Sequence, residues 1–299
     1  MTKNLPMSHV LDPARIAERY RREVREEIRL LDKPPKVILF LTTDNPDSTT
    51  YVQYTQHACE DVGIDYELRR VARLDLEEAI LAANQDASIH GIFNYWPVFN
   101  NEQDGYLRNQ VDFKKDIEGL CLYWTRKLYS NDRMAGDNKK AILPCTPLAV
   151  LKLLTEAGVY RTDIERPIEG KNICIFNRSE IVGRPLAMML SNDGATVVSI
   201  DINGPLQFVD AKPAEIDISR AEALSQADIV ITGVPSADFV KISNAEIKPD
   251  TICLNFSSRA NFEANVATSE RLFIPRVGPV TVAMCMRNSL RLYKNFHQS

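Results

Sequence analysis

Apolar residues recur along the chain at two different spacings, which predicts helices and strands in alternation. Between residues 16 and 31 they recur every three or four positions, a spacing typical of an amphipathic helix, and Asp12 before them is suited to the N-cap. The segment from Lys36 to Thr43 is a short apolar run bounded by turn residues and predicts a buried strand. A second helix should follow, with Ser48 as its N-cap and a stop at Gly63.

The alternation continues through the first half of the chain. We predict a strand from Ile64 to Val71, a helix from Leu74 to Ala83 and a strand from His90 to Trp96. Strands that alternate with helices of this length indicate parallel β-α-β units. From there to about residue 140 the sequence is polar and rich in turn residues, so we expect loops and one weak helix from Gln103 to Val111.

A helix from Leu143 to Gly158 leads into a second α/β unit. The last helix of the chain has an apolar face made of Val282, Met286, Leu290 and Tyr293. At 299 residues the chain exceeds the usual size of a single core, which favours two domains. The predicted elements of the second unit, in chain order, are a strand at Ile173, a helix after Pro185, a strand at Thr196, a polar excursion from Asn203 to Ile218, strands from Ala227 to Gly233 and from Thr251 to Phe256, and the last helix from Gly278.

Composition excludes several classes of partner. The net charge is -4 with both signs interspersed, so the chain offers no basic field for nucleic acid. No stretch approaches the roughly 20 apolar residues of a membrane span, and no apolar core of signal-peptide length lies near the N-terminus. We therefore expect a cytoplasmic protein that binds neither nucleic acid nor membrane.

The residues that commonly bind metals are scattered. The six cysteines include no C-x-x-C pair and stand mostly inside apolar runs, which favours buried thiols in a reducing compartment. The four histidines are isolated and show no paired spacing. We expect no bound metal.

Residues 171–190 form the most informative stretch, because they predict a strand, a polar turn and a helix in succession. Such a unit directs backbone N–H groups and the positive end of a helix dipole at one point, which suits a diphosphate. Of the three glycines of a dinucleotide fingerprint only Gly183 is present, and Asn177, which tolerates left-handed backbone, stands where the first would be. Asp201 ends the next strand, where dinucleotide folds place a ribose-binding acid. The local pattern alone also fits an ordinary β-α crossover.

Six patterns taken together resemble the 5,10-methylenetetrahydrofolate dehydrogenase family, whose members often also hydrolyse the methenyl product. The resemblance implies two α/β domains flanking a cleft, the C-terminal one a Rossmann-like dinucleotide-binding domain. It assigns residues 1–145 to the folate domain, residues 146–279 to the cofactor domain, and residues 280–299 to a helix that returns to the folate domain. It also implies a homodimer. The patterns, in the family's order, are DSTTY ending at Tyr51, KDIEG at 115–119, PCTP at 144–147, RSEIVGRP at 178–185, GATV at 194–197 and VGPVTVAM at 277–284.

Two departures from the family pattern bear on the activity. Bifunctional members carry a lysine four residues after the tyrosine, where this chain has Thr55, and a glutamine that partners it, where this chain has Tyr95. Hydrolysis needs a positioned water and proton transfers, whereas hydride transfer needs the methylene carbon held near the nicotinamide and water excluded. We therefore predict a dehydrogenase without cyclohydrolase activity. The alternatives are a bifunctional enzyme in which another group replaces the lysine, and a dinucleotide-binding sensor without catalysis.

The resemblance also implies the residues of the folate side. Tyr51 and Cys145 are the candidate catalytic residues, and no base adjoins Cys145 in sequence to make it a covalent nucleophile. Glu118 is the carboxylate expected to bind the pterin ring, replacing a shorter aspartate in many members, while Asp116 is expected to be structural. The candidate substrate-binding residues are Tyr51, Thr55, Tyr95, Glu118 and Pro279.

On the cofactor side we predict NAD. Asp201 can accept hydrogen bonds from the ribose hydroxyls and would repel the additional phosphate of NADP. Because Arg178 or Arg184 could pair with that phosphate, NADP use stays open. The candidate cofactor-binding residues are Asn177, Arg178, Ser179, Val182, Gly183, Asp201, Ile202, Gly233, Val234, Pro235, Gly278 and Thr281.

Overall fold

The computed structural model describes residues 10–268 and 270–298. Residues 1–9, part of the stretch in which no signal peptide is expected, and Ser299, the end of the predicted last helix, lie outside the described residues. The chain divides into two compact units. The small-sheet unit comprises Arg15–Leu148 and Pro279–Ser299, and the large-sheet unit comprises Ala149–Gly278 together with the segment that ends at Ala14.

The small-sheet unit is built on a three-stranded parallel sheet of order β2-β1-β3. The central strand β1 is buried along almost its whole length because helices pack against the sheet. Trp124 and Phe40 are among the largest fully buried side chains of this unit. Its elements are α1 (Pro13–Ile28), β1 (Lys36–Leu41), α2 (Pro46–Val62), β2 (Asp65–Arg70), α3 (Leu76–Gln85), β3 (Gly91–Asn94), α4 (Glu102–Gln110), α5 (Leu122–Tyr129) and the first turn of α6 (Cys145–Glu156), with most of α9 (Gly278–Leu292).

Two details of this unit correct the sequence prediction. Ser48 lies inside the first turn of α2, which begins two residues earlier, so its assignment as the N-cap is wrong. Helix α5 lies in the region predicted as loops, whereas the weak helix predicted just before it is present as α4. The pattern missed α5 because only Trp124 and Leu128 of its eight residues are buried, too few to show a helical period.

The large-sheet unit contains a seven-stranded sheet of order β10-β9-β8-β4-β5-β6-β7. The strands from β10 to β5 pair in parallel, and β6 and β7 add two antiparallel strands at one edge. Its elements are the rest of α6, then β4 (Asn172–Phe176), α7 (Gly183–Asn192), β5 (Thr196–Asp201), β6 (Gly204–Val209), β7 (Lys212–Glu215), α8 (Arg220–Gln226), β8 (Ile229–Thr232), β9 (Ile252–Asn255) and β10 (Phe273–Ile274).

The segment predicted as a polar excursion from Asn203 to Ile218 is instead the hairpin of β6 and β7, so that prediction is wrong. Phe208 is the only residue of these two strands that is fully buried, and each strand contains a proline, Pro205 or Pro213. Both features weaken the strand signal in sequence, while the pairing of β6 with β5 and of β7 with β6 supplies the hydrogen bonds that fix the strands.

The predicted fold class is confirmed: the protein is α/β, with a parallel sheet in each unit. The four residues of the predicted apolar face of the last helix are all buried, and three of them lie in α9, with Tyr293 directly after its end. All six cysteines are buried and free, as expected. No helix within residues 10–268 and 270–298 has the length and apolar character needed to cross a bilayer.

Candidate functional site

A short extra strand places the KDIEG segment beside β3. The Ile92 N–H donates to Lys115 O at 2.7 Å, and the Ile117 N–H donates back to Ile92 O at 3.4 Å. Because this pairing is parallel, the segment leaves the sheet at the same end as β3, and Glu118 emerges next to Trp96. The sheet therefore brings together two side chains that are 22 residues apart in sequence.

Two of the three charged residues of this segment support the structure. The buried carboxylate of Asp116 accepts the backbone N–H groups of residues 118, 119, 120 and 121 at 2.7–3.1 Å, which fixes the loop as a turn around it. Burial raises the pKa of Asp116, and these amide donors act in the opposite direction. Lys115 Nζ donates to three carbonyls at the end of α3, those of Ala83, Asn84 and Asp86. The structural role expected for Asp116 is thus confirmed.

Glu118 is the third charged residue of the segment. Its Oε2 accepts a hydrogen bond from Trp96 Nε1 at 2.8 Å. Burial, and then the charge of Asp116, raise the pKa of the Glu118 carboxyl to about 8, although the Trp96 hydrogen bond opposes them. The carboxyl is therefore largely protonated at neutral pH.

Aromatic rings form the surface beside Glu118. The Tyr51 ring stacks on Phe93 at a centroid distance of 6.3 Å and meets Tyr95 edge-on at 5.9 Å. Burial, and then the neighbouring thiols and Glu118, raise the pKa of the Tyr51 hydroxyl. Such a surface can pack against a flat heterocycle while a carboxylate binds its edge.

Thr55 and Tyr95 lie at this same surface, and neither carries a charge near neutral pH. Thr55 is 1 % exposed, and its hydroxyl donates to Tyr51 O at 2.9 Å, within the helix. The Tyr95 side chain is buried as well. Burial raises the pKa of Tyr95, while the Thr55 hydroxyl acts in the opposite direction. Neither group is suited to transfer protons at pH 7.

Cys145 is held as part of the scaffold. Its Sγ donates to Ile117 O at 3.4 Å, and its pKa is raised by the hydrogen bond with Cys285 and by burial, so it remains a thiol. Asn288 of α9 donates through Nδ2 to Ile117 O and Leu143 O, both at 2.9 Å. Sequence reasoning missed Asn288, whose only signal is a polar residue between buried positions of α9.

The other predicted residues of the small-sheet unit lie at the start of α9. Thr281 Oγ1 donates to Thr146 Oγ1 at 3.5 Å, which links α9 to the first turn of α6. Pro279 is partly buried in the first turn of α9, and Gly278, the preceding residue, is exposed and belongs to the large-sheet unit.

A second group of residues occupies the large-sheet unit where β4 ends. The Asn177 side chain accepts the N–H of Ser179 at 2.9 Å and its hydroxyl at 2.8 Å, which closes the turn. Asn177 Nδ2 donates to Gly233 O at 2.8 Å and so joins the turn after β4 to the turn after β8. A Cβ on Gly183 would lie 2.3 Å from Asn177 O, so only glycine permits helix α7 to begin this close to the turn.

The turn after β8 is equally constrained. A Cβ on Gly233 would lie 1.9 Å from the Phe256 ring. The backbone N–H and carbonyl of Val234 are both bound by the buried side chain of Asn261, each at 2.9 Å. Pro235, another candidate cofactor-binding residue, follows Val234 directly in the chain. Asn261 stands in a polar stretch between strands, and sequence reasoning missed it because its partner is 27 residues away.

Arg178 and Asp201 are joined in an ion pair, with Nη1 and Oδ1 3.2 Å apart. Arg178 Nη2 also donates to Ser199 O at 2.7 Å and to Gly204 O, so its side chain is only 6 % exposed. Ile202, next to Asp201, is fully exposed, which leaves its side chain available to a ligand.

Apart from Gly278, the predicted cofactor residues of this unit therefore gather at the carboxyl ends of β4, β5 and β8. Strand β4 lies between β5 and β8: the chain passes from β4 to β5 on one side and returns later to β8 on the other. Such a switch point is where open α/β sheets bind ligands. Val182 stands at the N-cap of α7, beside the same turn. No group of three or more His, Cys, Asp or Glu side chains within the described residues could hold a metal ion.

The chain was compared with known protein families, sequences and solved structures. Residues 11–118 match the catalytic domain of tetrahydrofolate dehydrogenase/cyclohydrolase, and residues 144–297 match its NAD(P)-binding domain. The chain is 42% identical to the methylenetetrahydrofolate dehydrogenase [NAD(+)] of Dictyostelium discoideum over 296 residues, which cover 95% of this chain and 94% of the relative. It is 31% identical to the bifunctional protein FolD of a Hydrogenobaculum strain, covering 96% and 99%. The solved structure of the NAD-dependent 5,10-methylenetetrahydrofolate dehydrogenase from Saccharomyces cerevisiae superposes with a TM-score of 0.90 and 36% identity, covering 97% of this chain and 98% of that one.

Proposed function

The chain belongs to the tetrahydrofolate dehydrogenase/cyclohydrolase family, and we propose that it oxidises 5,10-methylenetetrahydrofolate to 5,10-methenyltetrahydrofolate without hydrolysing the product. It is an oxidoreductase that uses NAD. The observation that carries the absence of hydrolysis is the pair Thr55 and Tyr95, two neutral side chains where bifunctional members of the family have a lysine and a glutamine.

Glu118 is the proposed anchor for the pterin ring. The ring presents N–H donors along one edge, which an ionised carboxylate accepts better than a neutral one. Trp96 orients the carboxyl through its indole N–H, and Tyr51 offers a ring face against which the pterin stacks. Substrate binding should therefore remove the proton that Glu118 holds in the free protein.

The turn formed by Asn177, Ser179 and Gly183 is the proposed site of the NAD diphosphate. Helix α7 begins close to this turn, so the positive end of its dipole would face the phosphates. Asp201 would accept the hydroxyls of the adenosine ribose, and Ile202 would contact the adenine. Gly233, Val234 and Pro235 would border the same cofactor from the turn after β8.

Hydride transfer requires no general acid or general base from the protein. NAD, when bound, would accept the hydride and its electron pair from the methylene carbon, which would leave the folate as a methenyl cation without any proton transfer. The protein has to hold the two carbons in line and exclude water. The hydrolysis step would instead need a group that moves protons, and burial keeps the pKa of Tyr95 too high for that at neutral pH.

Two rates measured on one preparation test the proposal. NADH formation should follow the addition of methylenetetrahydrofolate and NAD, while the absorbance of added methenyltetrahydrofolate should decay no faster than in buffer. A bifunctional family member assayed under the same conditions is the positive control for hydrolysis. Hydrolysis at a rate comparable to oxidation would contradict the proposal of a monofunctional enzyme. If no NADH forms, a non-catalytic dinucleotide-binding protein is favoured instead.

We propose three further features on the basis of the family resemblance. Residues 1–145 form the folate domain and residues 146–279 the NAD domain, the protein is a homodimer, and it works in the cytoplasm. Light scattering during gel filtration tests the dimer, and fluorescence microscopy of a tagged chain tests the location. Equilibrium binding of NADH to the isolated segment 146–279, if that segment folds, tests the division of labour.

A further inference from the structure

Helix α4 is fixed to the loop that follows β3. The buried carboxylate of Asp104 accepts the backbone N–H groups of residues 98, 99 and 100 at 2.8–3.2 Å. At the other end of the helix, Asn84 of α3 donates through Nδ2 to Gln110 O at 2.7 Å. Both ends of this helix are thus tied to their surroundings, so a side chain on α4 has a defined place relative to Trp96.

Arg108 lies one turn after Asp104 in α4, and its guanidinium lies over the ring of Trp96. Arg108 Cζ is 5.7 Å from the ring centroid, which is within the range of a cation–π contact. The indole N–H at the edge of the same ring donates to Glu118 Oε2 at 2.8 Å. The Trp96 ring therefore meets a cation on its face and binds the acid at its edge.

The charge of Arg108 also acts on Glu118. Burial and then the Asp116 charge raise the pKa of the Glu118 carboxyl to about 8, and the Arg108 charge is one of the influences that lower it. Arg108 therefore brings a positive charge that opposes the charge of Asp116. Three other titratable side chains interact electrostatically with Glu118 and carry no charge near neutral pH, namely Tyr51, Tyr95 and Cys145.

We propose that Arg108 is a positioning residue of the folate site, which holds the indole N–H of Trp96 against the Glu118 carboxyl and supplies a positive charge that offsets Asp116. This proposal rests on the proposed role of Glu118 in binding the pterin, and it extends that role to a residue that acts through another. The effect should be large where Glu118 is partly protonated and should vanish where the carboxyl is fully ionised.

The size of the effect follows from the charge that is removed. Loss of the Arg108 cation should raise the pKa of Glu118, by about half a unit for a charge that acts across an indole ring. On the acid side of the titration, about threefold less of the protein would then carry the ionised carboxylate. The KM for methylenetetrahydrofolate should therefore rise about threefold at pH 7 and hardly at all at pH 9.5, with kcat nearly unchanged.

The kinetic experiment compares Arg108→Met with Arg108→Lys and Arg126→Met. Arg108→Met removes the charge and keeps a long unbranched side chain, whereas Arg108→Lys keeps the charge and should keep most of the wild-type profile. Arg126, exposed in the last turn of α5, controls for the loss of a surface cation, and its substitution should change nothing. The KM for methylenetetrahydrofolate and kcat are measured on the full chain from pH 6 to pH 9.5.

A second measurement needs neither substrate nor turnover. Because the Trp96 indole donates to Glu118, its fluorescence should change as this carboxyl ionises, with a midpoint near pH 8 in the wild-type protein. Arg108→Met should move the midpoint to higher pH by about half a unit, and Arg108→Lys should leave it nearly unchanged. Trp96→Phe and Glu118→Gln should each abolish the transition, which identifies the pair of residues that produces it.

The double variant Arg108→Met/Glu118→Gln separates an action through Glu118 from a general loss of packing. If Arg108 acts through the carboxyl, its substitution should have no further effect once position 118 holds a glutamine. The double variant should then have the folate KM of Glu118→Gln at every pH.

Three results would overturn the proposal. They are a wild-type fluorescence midpoint in Arg108→Met, a rise in KM of equal size at pH 7 and pH 9.5, and an Arg108→Met effect that persists in full beside Glu118→Gln. Arg108→Gln carries the same expectations if Arg108→Met does not fold. A shifted midpoint with an unchanged KM would instead overturn the assignment of Glu118 to the substrate site, and the absence of NADH formation would overturn the proposed activity while the fluorescence titration stays interpretable.

Discussion

The substitution Glu118→Gln tests the electrostatics of the folate side most directly. Glutamine keeps an oxygen that can accept the Trp96 indole N–H but has no proton to lose. In the wild-type protein, burial and the nearby Asp116 charge raise the pKa of Glu118 from 4.5 to about 8. The variant should therefore differ from wild type by an amount that depends on pH.

The sign of the effect follows from the protons bound in each state. Between pH 4.5 and 8 the folded wild type keeps a proton on Glu118 that the unfolded chain has released, so the free energy of unfolding falls as pH rises through this window. Each pH unit is worth about 1.4 kcal/mol, so the difference between the two pKa values amounts to roughly 5 kcal/mol at most. Glu118→Gln lacks this penalty and should become progressively more stable than wild type toward pH 9.

Thermal unfolding measured from pH 5 to pH 9 is the assay. With about 2–4 °C of Tm for each kcal/mol, the Tm of Glu118→Gln should exceed that of wild type by roughly 10 °C at pH 9 and by little at pH 5. The KM for methylenetetrahydrofolate should rise in the same variant, because the carboxylate that binds the pterin is gone. Glu26→Gln, at an exposed glutamate of α1, controls for the loss of one negative charge.

Parallel Tm curves for wild type and Glu118→Gln across this pH range would refute the reasoning, since they would mean that Glu118 ionises alike in the folded and unfolded states. A folate KM unchanged by the substitution would remove Glu118 from the substrate site, whatever its effect on stability.

Three further predictions concern other parts of the molecule. Calorimetry at pH 7 in two buffers of different ionisation enthalpy should show release of close to one proton when a folate ligand binds wild type and none when it binds Glu118→Gln, because the pterin donors favour the ionised carboxyl. Gly183→Ala should weaken NADH binding by tenfold or more and lower Tm by several degrees, since its Cβ would lie 2.3 Å from Asn177 O; wild-type binding would show that α7 can shift at no cost. Burial and then the His297 charge lower the pKa of His90 to about 4, so stability should be lost as pH falls from 6.5 to 4, and His90→Asn, which can still accept the Lys36 N–H, should show a shallower loss of Tm over that range.

The sequence predicted the site best where a group is positioned by its own neighbours in the chain. Asp116 binds amides within five residues of itself, and Asn177 closes a turn of its own, so local pattern sufficed for both. Asn288 and Asn261 were not predicted as site residues, because their hydrogen-bond partners are 171 and 27 residues away in sequence. A polar residue with a distant partner has no periodic signal in sequence.

The fold shows the same division between local and distant determinants. Strands β4, β8 and β9 are continuous apolar runs and were predicted, whereas β6, which pairs with β5, and β7, which pairs with β6, were not. The Arg178–Asp201 pair depends on this hairpin as well. Arg178 was predicted as a possible phosphate ligand. Only the structure, in which β5 pairs with β6, shows that its guanidinium already binds Asp201 and the carbonyls of Ser199 and Gly204.

The four hydrogen bonds from backbone N–H groups to Asp116 also affect how this segment can change during evolution. Because the carboxylate of Asp116 and the Asn288 amide determine the backbone conformation, the side chain at position 118 is not needed to maintain it. A mutation there can shorten or lengthen the acid by one methylene group, and so move its oxygens by about the length of one C–C bond, about 1.5 Å, without unfolding the loop. A lineage can therefore adjust the reach of its substrate-binding group in a single step, while Asp116 must stay.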